Sequence, residues 1–348
     1  MLIVNLVPSG QGWFPINYMV TLACELLEAK LIDLSDTGTT LFTKLAAIVS
    51  QRKASDAQEE TCLLVCASPT DLLGIYKIEG WRTRFKFLAA WVIDSFWLEW
   101  IPMSVRLANP FDCIFITTGE HAEAWHRITG IDPIWLPWGT DVLRLGSGAE
   151  VREWDLLRVG RQPMQWDDDA ATAALAERAS IRFHPRPSAA EKDPLETHRS
   201  LMGLYAHSKF LLAFSNTAHR TNYTHPTRPY LTGRWVDALA CGAVVAGVAP
   251  KSQCIDELLW EGATLELETL EREEGLHRIR LALDAWMPDT AMRNYLMALE
   301  RLDWRYRFKV IAGVFGAEPK ALGVELQLLK RKLAASRRAL LSARLRGR

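Results

Sequence analysis

Short apolar runs recur along the chain at intervals filled by helical patterning: LIVNLV (2–7), LIDL (31–34), CLLVCA (62–67), FLAAWVID (87–94) and CIFITT (113–118). Runs that stay apolar along their length, instead of alternating, suit strands covered on both faces, as in a parallel sheet between layers of helix. PIWLPWGTD (133–141) closes this series, and LRLGSGAEV after it carries the glycine and serine of a linker. The rhythm then restarts with DLLRVG (155–160), IRFH (181–184), KFLLAFS (209–215), AVVAGVA (243–249) and TLELE (264–268). At 348 residues the chain exceeds one ordinary core, so the doubled rhythm predicts two α/β domains in tandem, 1–146 and 147–299. ERLDWRYRFKVIAGVFG reads as a crossover helix over 300–317, with Trp304, Phe308, Ile311 and Phe315 on one face, and 318–348 as a helical tail. Sheets of this kind take ligands at the carboxyl ends of their strands, which places the expected site in a cleft between the domains.

Forty-one basic and forty-one acidic residues cancel, which argues against wholesale nucleic-acid binding. The six cysteines form no CxxC pair and lie mostly in apolar runs, as reduced core residues of a cytosolic protein would. MLIVNLVPSGQG lacks the basic start and the apolar length of a signal peptide, and no segment reaches membrane-spanning length. The expectation is a cytoplasmic protein that acts on any membrane from its inner face.

One stretch concentrates chemistry. In YLTGRWVDALACGAVVAG (230–247), Thr232 sits as an N-cap, a helix runs from Gly233 to Cys241, and Gly242 ends it ahead of an apolar strand. The N–H groups and positive dipole end of that helix suit a phosphate or diphosphate, Gly233 allows close backbone approach, and Arg228 and Arg234 add charge. Asp237 lies one turn deeper on the same face, where its carboxylate can accept hydrogen bonds from both hydroxyls of a ribose. On this stretch alone, Asp237 as an exposed helix acid and Arg234 as a solvated side chain fit as well.

With these residues in view, the chain resembles the group 1 glycosyltransferases of the GT-B fold, whose second domain carries an acidic residue, a small-residue helix, a Cys-Gly pair and a Val-rich strand; here that reads DALACGAVVAG. Three more stretches fall in the family's order. FDCIFITTGEHAEAWHRITGIDPIWLPWGTD (111–141) is similar to the end of its first domain, with Pro137, Gly139 and Asp141 in register. LLRVGRQP (156–163) is similar to the opening of its second, where Arg161 matches a residue contacting the donor diphosphate. GQGWFPINYM (10–19) holds the place of the glycine loop, Gly10 and Gly12, that faces those phosphates. The resemblance spans about residues 1–316 and implies two Rossmann-like domains facing across a cleft, a nucleotide-diphosphate sugar as donor substrate without further cofactor or metal, and a carbohydrate, lipid-linked or protein acceptor. Two departures stand out: the family's first glutamate, eight positions before Asp237, is Pro229, and its lysine after Gly-Arg is absent from GRQPMQW. The pattern RWVDALACG is closest to a divergent branch similar to spore-coat-type glycosyltransferases.

The resemblance implies a hexosyltransferase-like reaction in which negative charge grows on the leaving diphosphate, where Arg161, Arg234 and the Gly233 amide would stabilise it. Asp94, at the end of FLAAWVID, matches the position of a residue lining the acceptor cleft: it deprotonates the acceptor hydroxyl, hydrogen-bonds the sugar, or merely caps a helix SFWLEW. Asp167, Asp168 and Asp169 look like a metal motif of another fold, but acids also belong at the start of the helix AATAALAERA. His219, Arg220, Asn222 and His225 fall in a loop before the anion-binding helix, as contacts or as plain loop. Trp97 and Trp100 are candidates for stacking on an acceptor sugar, against a core role.

From Glu318 on, nine Lys or Arg stand against two Glu. Leu322, Leu326, Leu329 and Leu333 form a stripe there, which suits a tail free of the fold that attaches to anionic lipid or to a partner helix. The reading is a glycosyltransferase in bacterial polysaccharide, glycolipid or glycoprotein synthesis; the alternatives are a non-catalytic sugar-nucleotide-binding or scaffold protein, or a sugar-nucleotide epimerase of the same fold.

Overall fold

The computed structural model describes residues 1–35, 60–187, 193–218 and 224–346. The chain divides into two compact units, Met1–Pro137 with Arg305–Glu325, and Trp138–Trp304 with Leu326–Arg348. His219, Arg220 and Asn222 lie outside the described residues.

The first unit holds a parallel sheet of β1 (Leu2–Asn5), β2 (Lys30–Asp33), β3 (Glu60–Cys66), β4 (Phe85–Val92), β5 (Cys113–Ile116) and β6 (Ile134–Trp135), in the order β2-β1-β3-β4-β5-β6. All four residues of β1 and of β5 are buried, as strands covered on both faces must be. Leu64, Leu88, Ile114 and Trp125 share one core with Leu72 and Ile75. Strands stop sooner than the apolar runs do. After β4 the N–H groups of Ile93 and Asp94 still bond to Cys66 and Ala67 carbonyls, but the chain is already turning.

The second unit holds another parallel sheet, β7 (Trp154–Arg158), β8 (Phe183–His184), β9 (Ser208–Leu212), β10 (Val244–Gly247) and β11 (Thr264–Glu266), in the order β11-β10-β9-β7-β8. Its core joins Leu156, Phe210, Leu212 and Ala246 to Trp166, Leu276 and Ile279. The helix Gly233–Ala240 feeds β10 and packs against the helices Thr290–Arg301 and Pro194–Ala206. Gly242 has φ +79°, and with Gly242 N–H on Leu239 O and Ala243 N–H on Ala238 O the helix ends in a Schellman motif. Buried Arg152 collects the carbonyls of Tyr205, Ser208 and Cys241 at 2.8–3.2 Å, so one cation serves the ends of two helices. Burial lowers its pKa to about 10 and leaves it charged at neutral pH.

Gly139–Asp141 run beside Leu302–Trp304: Thr140 and Trp304 N–H groups bond to Leu302 and Thr140 carbonyls, and a Cβ on Gly139 would lie 2.6 Å from Leu302 O. That close backbone approach explains the glycine. Burial raises the Cys24 and Cys113 thiols to about 11 and Cys62 to about 12, which removes their nucleophilic form at neutral pH.

Two expectations need correction. Asp94 does not end a strand before a helix: β4 ends at Val92, Asp94 lies in a turn, and SFWLEW contains only the 3₁₀ turn Leu98–Trp100. Nor is the tail free. It forms the helix Lys320–Arg346, with Leu322 and Leu329 buried, Glu325 on the buried Arg305, and Arg337 on Glu300. The leucine stripe that looked available for lipid is spent on the fold. Among the described residues no helix is long and apolar enough to cross a membrane.

Candidate functional site

In the second unit the carboxyl ends of β7 and β9 open onto a pocket. Arg161–Pro163 come from the exit of β7, Phe214–Asn216 from the exit of β9, and Tyr230, Thr232, Arg234 and Trp235 from the start of the Gly233–Ala240 helix. A helix N-terminus, two arginines and several polar side chains therefore meet where α/β sheets place their ligands.

The turn after β7 needs its glycine: Gly160 has φ +69°, and a Cβ there would lie 3.2 Å from Nη1 of Arg234. Nη1 of Arg234 donates to the carbonyls of Val159 and Arg161 at 2.9 and 3.0 Å, strapping the helix start to that turn. Arg161 is exposed and lies at the pocket rim. Thr232 takes the N-cap position with extended backbone (φ −121°, ψ 164°), but its hydroxyl makes no capping bond and has no partner among the described residues. The cap function is instead carried by the Thr232 carbonyl, which accepts from Trp235 N–H at 3.1 Å.

Two residues that sequence reading passed over shape this pocket. Asn216 donates from Nδ2 to the His225 and Arg228 carbonyls at 2.7 and 2.9 Å and accepts from Tyr230 N–H at 3.3 Å, stapling the approach to the helix. Gln162, buried, donates to Leu212 O at 3.0 Å and ties the exits of β7 and β9 together. The only signal was position: each is a polar residue just past an apolar strand.

Of the residues read from sequence, Arg161, Thr232 and Arg234 come together here, with Gly233 buried as the first residue of the helix beneath them. Arg228 does not join them. Its Nη1 lies 2.9 Å from Nε2 of His225, folded back on its own loop. Asp237 is also a correction: it is 3% exposed, does not line the pocket, and faces Nδ1 of His198 at 4.0 Å and the Thr140 hydroxyl. Burial pushes its carboxyl above the ordinary value, while the His198 ring and the Thr140 hydroxyl pull the other way without cancelling it.

The aspartates at 167–169 are occupied in the second unit. Asp168 caps the helix Asp169–Arg178 through Ala171 N–H at 2.9 Å, Asp167 and Asp169 both pair with the buried Arg158, Asp167 also pairs with the Arg186 guanidinium, and Asp169 accepts from the Arg186 backbone N–H at 3.1 Å.

The first unit carries the other candidates. Gly10 and Gly12 lie on an exposed turn leading through Gln11–Trp13 into the helix Phe14–Leu26, where a Cβ on either would meet no atom within 4 Å. Asp94 is half-buried in a turn held by its neighbour Ser95, whose Oγ accepts from Thr117 and Thr118 N–H at 3.1 Å and whose carbonyl takes Trp125 Nε1 at 3.0 Å. Trp97 and Trp100 stack on each other, centroids 4.1 Å apart and planes within 1°, with Trp100 44% exposed. Trp97 also meets the buried Phe96, ring centroids 5.8 Å apart and tilted, so the pair joins an exposed ring to the core.

Two parallel sheets of six and five strands, each layered with helices, define the GT-B class of fold. Anabaena Alr3699/HepE, solved with UDP-glucose, superposes with a TM-score of 0.55 at 13% identity over 90% of this chain and 99% of its own. Its complex with UDP gives 0.54 at 14% identity. Sucrose-phosphate synthase from Thermosynechococcus elongatus gives 0.53 at 11% identity, over 90% of this chain and 98% of its own. No protein-family profile and no curated protein sequence matches the chain.

Proposed function

We propose that the protein is a glycosyltransferase that moves a sugar from a nucleoside-diphosphate donor to an acceptor hydroxyl. The observation that carries this is the pocket itself: exposed Arg161, the Thr232 hydroxyl and the strapped Arg234 gathered over the first turn of the Gly233–Ala240 helix. A fixed positive environment of this kind stabilises a leaving diphosphate more than the intact donor, because charge grows there as the sugar bond breaks. Arg161 meets that charge directly; Arg234 positions the turn that presents it. The fold shared with a UDP-glucose-bound protein supports a nucleotide sugar as donor. Half-buried Asp94 and the Trp97–Trp100 stack are the first unit's candidates for an acceptor sugar, as base or hydrogen-bond acceptor and as stacking platform. The segment RWVDALACG supports a divergent branch similar to spore-coat-type enzymes.

A second reading rests on Pro229 in place of the family's glutamate and on the burial of Asp237: a protein that binds a sugar nucleotide without transferring its sugar. Calorimetry against UDP, GDP, ADP, CMP and dTDP, followed by product analysis with the matching nucleotide sugars, separates the two. Binding with release of nucleoside diphosphate supports transfer, binding without it supports the second reading, and no nucleotide binding overturns both.

A further inference from the structure

The helix Lys320–Arg346 has an inner and an outer face. Leu322, Leu329 and Ser336 are buried on the inner one. On the outer one Val324, Leu328, Arg331, Ala335, Arg338 and Leu341 follow each other at intervals of three or four residues, all exposed, with Val324 and Leu341 each 60% open. Lys330 and Lys332 are exposed on its flanks.

From Val324 onward the helix carries no acid of its own on this face; the carboxylates that reach the helix from elsewhere among the described residues are Glu28, which accepts from Ala321 N–H at 3.1 Å in the first turn, and Glu300, on Arg337. The segment's two glutamates are Glu318, before the helix begins, and Glu325, which is turned to Arg305. Lys330, Arg331, Lys332 and Arg338 have no carboxylate partner among the described residues. The helix is ~40 Å long at ~1.5 Å per residue, so the outer stripe is an extended, unpaired basic surface with apolar side chains set into it.

We infer that this outer face docks on an anionic phospholipid surface. Apolar residues alternating with arginines match an interface in which Val324, Leu328 and Leu341 enter the headgroup–acyl boundary while Arg331, Arg338 and the flanking lysines meet phosphates. A partner helix fits less well, because Arg331 and Arg338 would fall in the middle of the seam where a coiled coil needs apolar residues. Nucleic acid would use the charge and leave the exposed Val324 and Leu341 without a role. The contact does not depend on sugar transfer and uses none of the pocket residues.

The test is flotation of the full chain with vesicles of phosphatidylcholine alone or with phosphatidylglycerol at about one third. The expected result is binding to the anionic vesicles only, weakening as salt rises. The pair Arg331→Gln and Arg338→Gln should weaken it about thirtyfold, taking each basic residue at the surface as worth about a factor of six. Leu341→Ser with Val324→Ser should lower the part of the binding that survives high salt. These positions are exposed, so the variants stay folded, which circular dichroism and unchanged nucleotide binding verify. Equal binding to neutral vesicles, unchanged binding of the Arg variants, loss of all binding to equimolar RNA competitor, or a helix-mediated dimer by light scattering without lipid binding would each overturn the inference.

Discussion

The carboxylate of Asp237 lies 4.0 Å from Nδ1 of His198, both side chains almost fully buried, and neither residue lines the pocket. A buried carboxyl whose folded pKa is raised holds its proton more tightly in the native state than in the unfolded chain. Its contribution to stability is therefore present at low pH, falls as pH rises from the unfolded value near 4 to the folded one, and is flat beyond it. Asp237→Asn removes the ionisation and should stabilise the protein at pH 7 by about 1–3 kcal/mol, measured by urea unfolding. Nucleotide affinity should stay within about twofold. A tenfold loss of affinity in the folded variant would return Asp237 to the ribose.

Arg161 and Arg234 are neighbours with different duties, and paired alanine variants should show it. Arg161→Ala removes an exposed charge, so stability should shift by no more than about 0.5 kcal/mol while turnover falls more than nucleoside binding does. Arg234→Ala leaves the Val159 and Arg161 carbonyls without their donor and should cost about 1–3 kcal/mol of stability as well as activity. Equal stability of the two variants would contradict the strap.

What the sequence disclosed and what it hid follow from the range of the forces involved. The strands, the Gly242 helix stop and the gathering of Arg161, Thr232 and Arg234 depend on short segments and on the rule that parallel strands end at the ligand. The strands, the helix stop and the pairing of Thr232 with Arg234 were legible in local pattern, whereas Arg161 was placed by the family resemblance alone. The destination of Asp237 depends on Thr140 and His198, remote in sequence, and no helical wheel shows which neighbour will cover a face. Amphipathicity likewise said that one side of the tail helix is apolar without saying what it meets, and in the structure the leucines face inward. Asn216 carried no motif at all, because its work is to hold backbone carbonyls.

Asp155 predicts a limit at acid pH. Burial would raise its carboxyl, but hydrogen bonds from Arg182 and Lys209 outweigh this and hold it down to about 2. The sign is opposite to that of Asp237: this contribution is complete above the unfolded value near 4 and is lost as pH falls toward 2. Because Arg182 is half exposed, screening reduces it to about 1–2 kcal/mol. Asp155→Asn should flatten the acid limb of the stability curve in that window; an unchanged limb would show that other carboxylates govern it.

The tail gives the sharpest test, because its leucine stripe admits two opposite outcomes. If the helix after Pro319 were an appendage, a chain ending at Ala317 would fold and bind nucleotide like the whole protein. In the structure that truncation exposes the ground on which Leu322 and Leu329 are buried, and it strips Glu325 from an Arg305 whose side chain is fully inaccessible. A buried charge left without its partner costs about 3–5 kcal/mol, comparable to much of a domain's net stability. The truncated chain should therefore be largely unfolded or aggregated at 37 °C. Glu325→Gln, which keeps the helix and removes only the charge, should fold but lose about 2–4 kcal/mol by urea titration, since the amide retains one hydrogen bond to Arg305. A truncated protein with the stability of the full chain would mean that Arg305 is satisfied in another way and that the helix adds nothing to the fold.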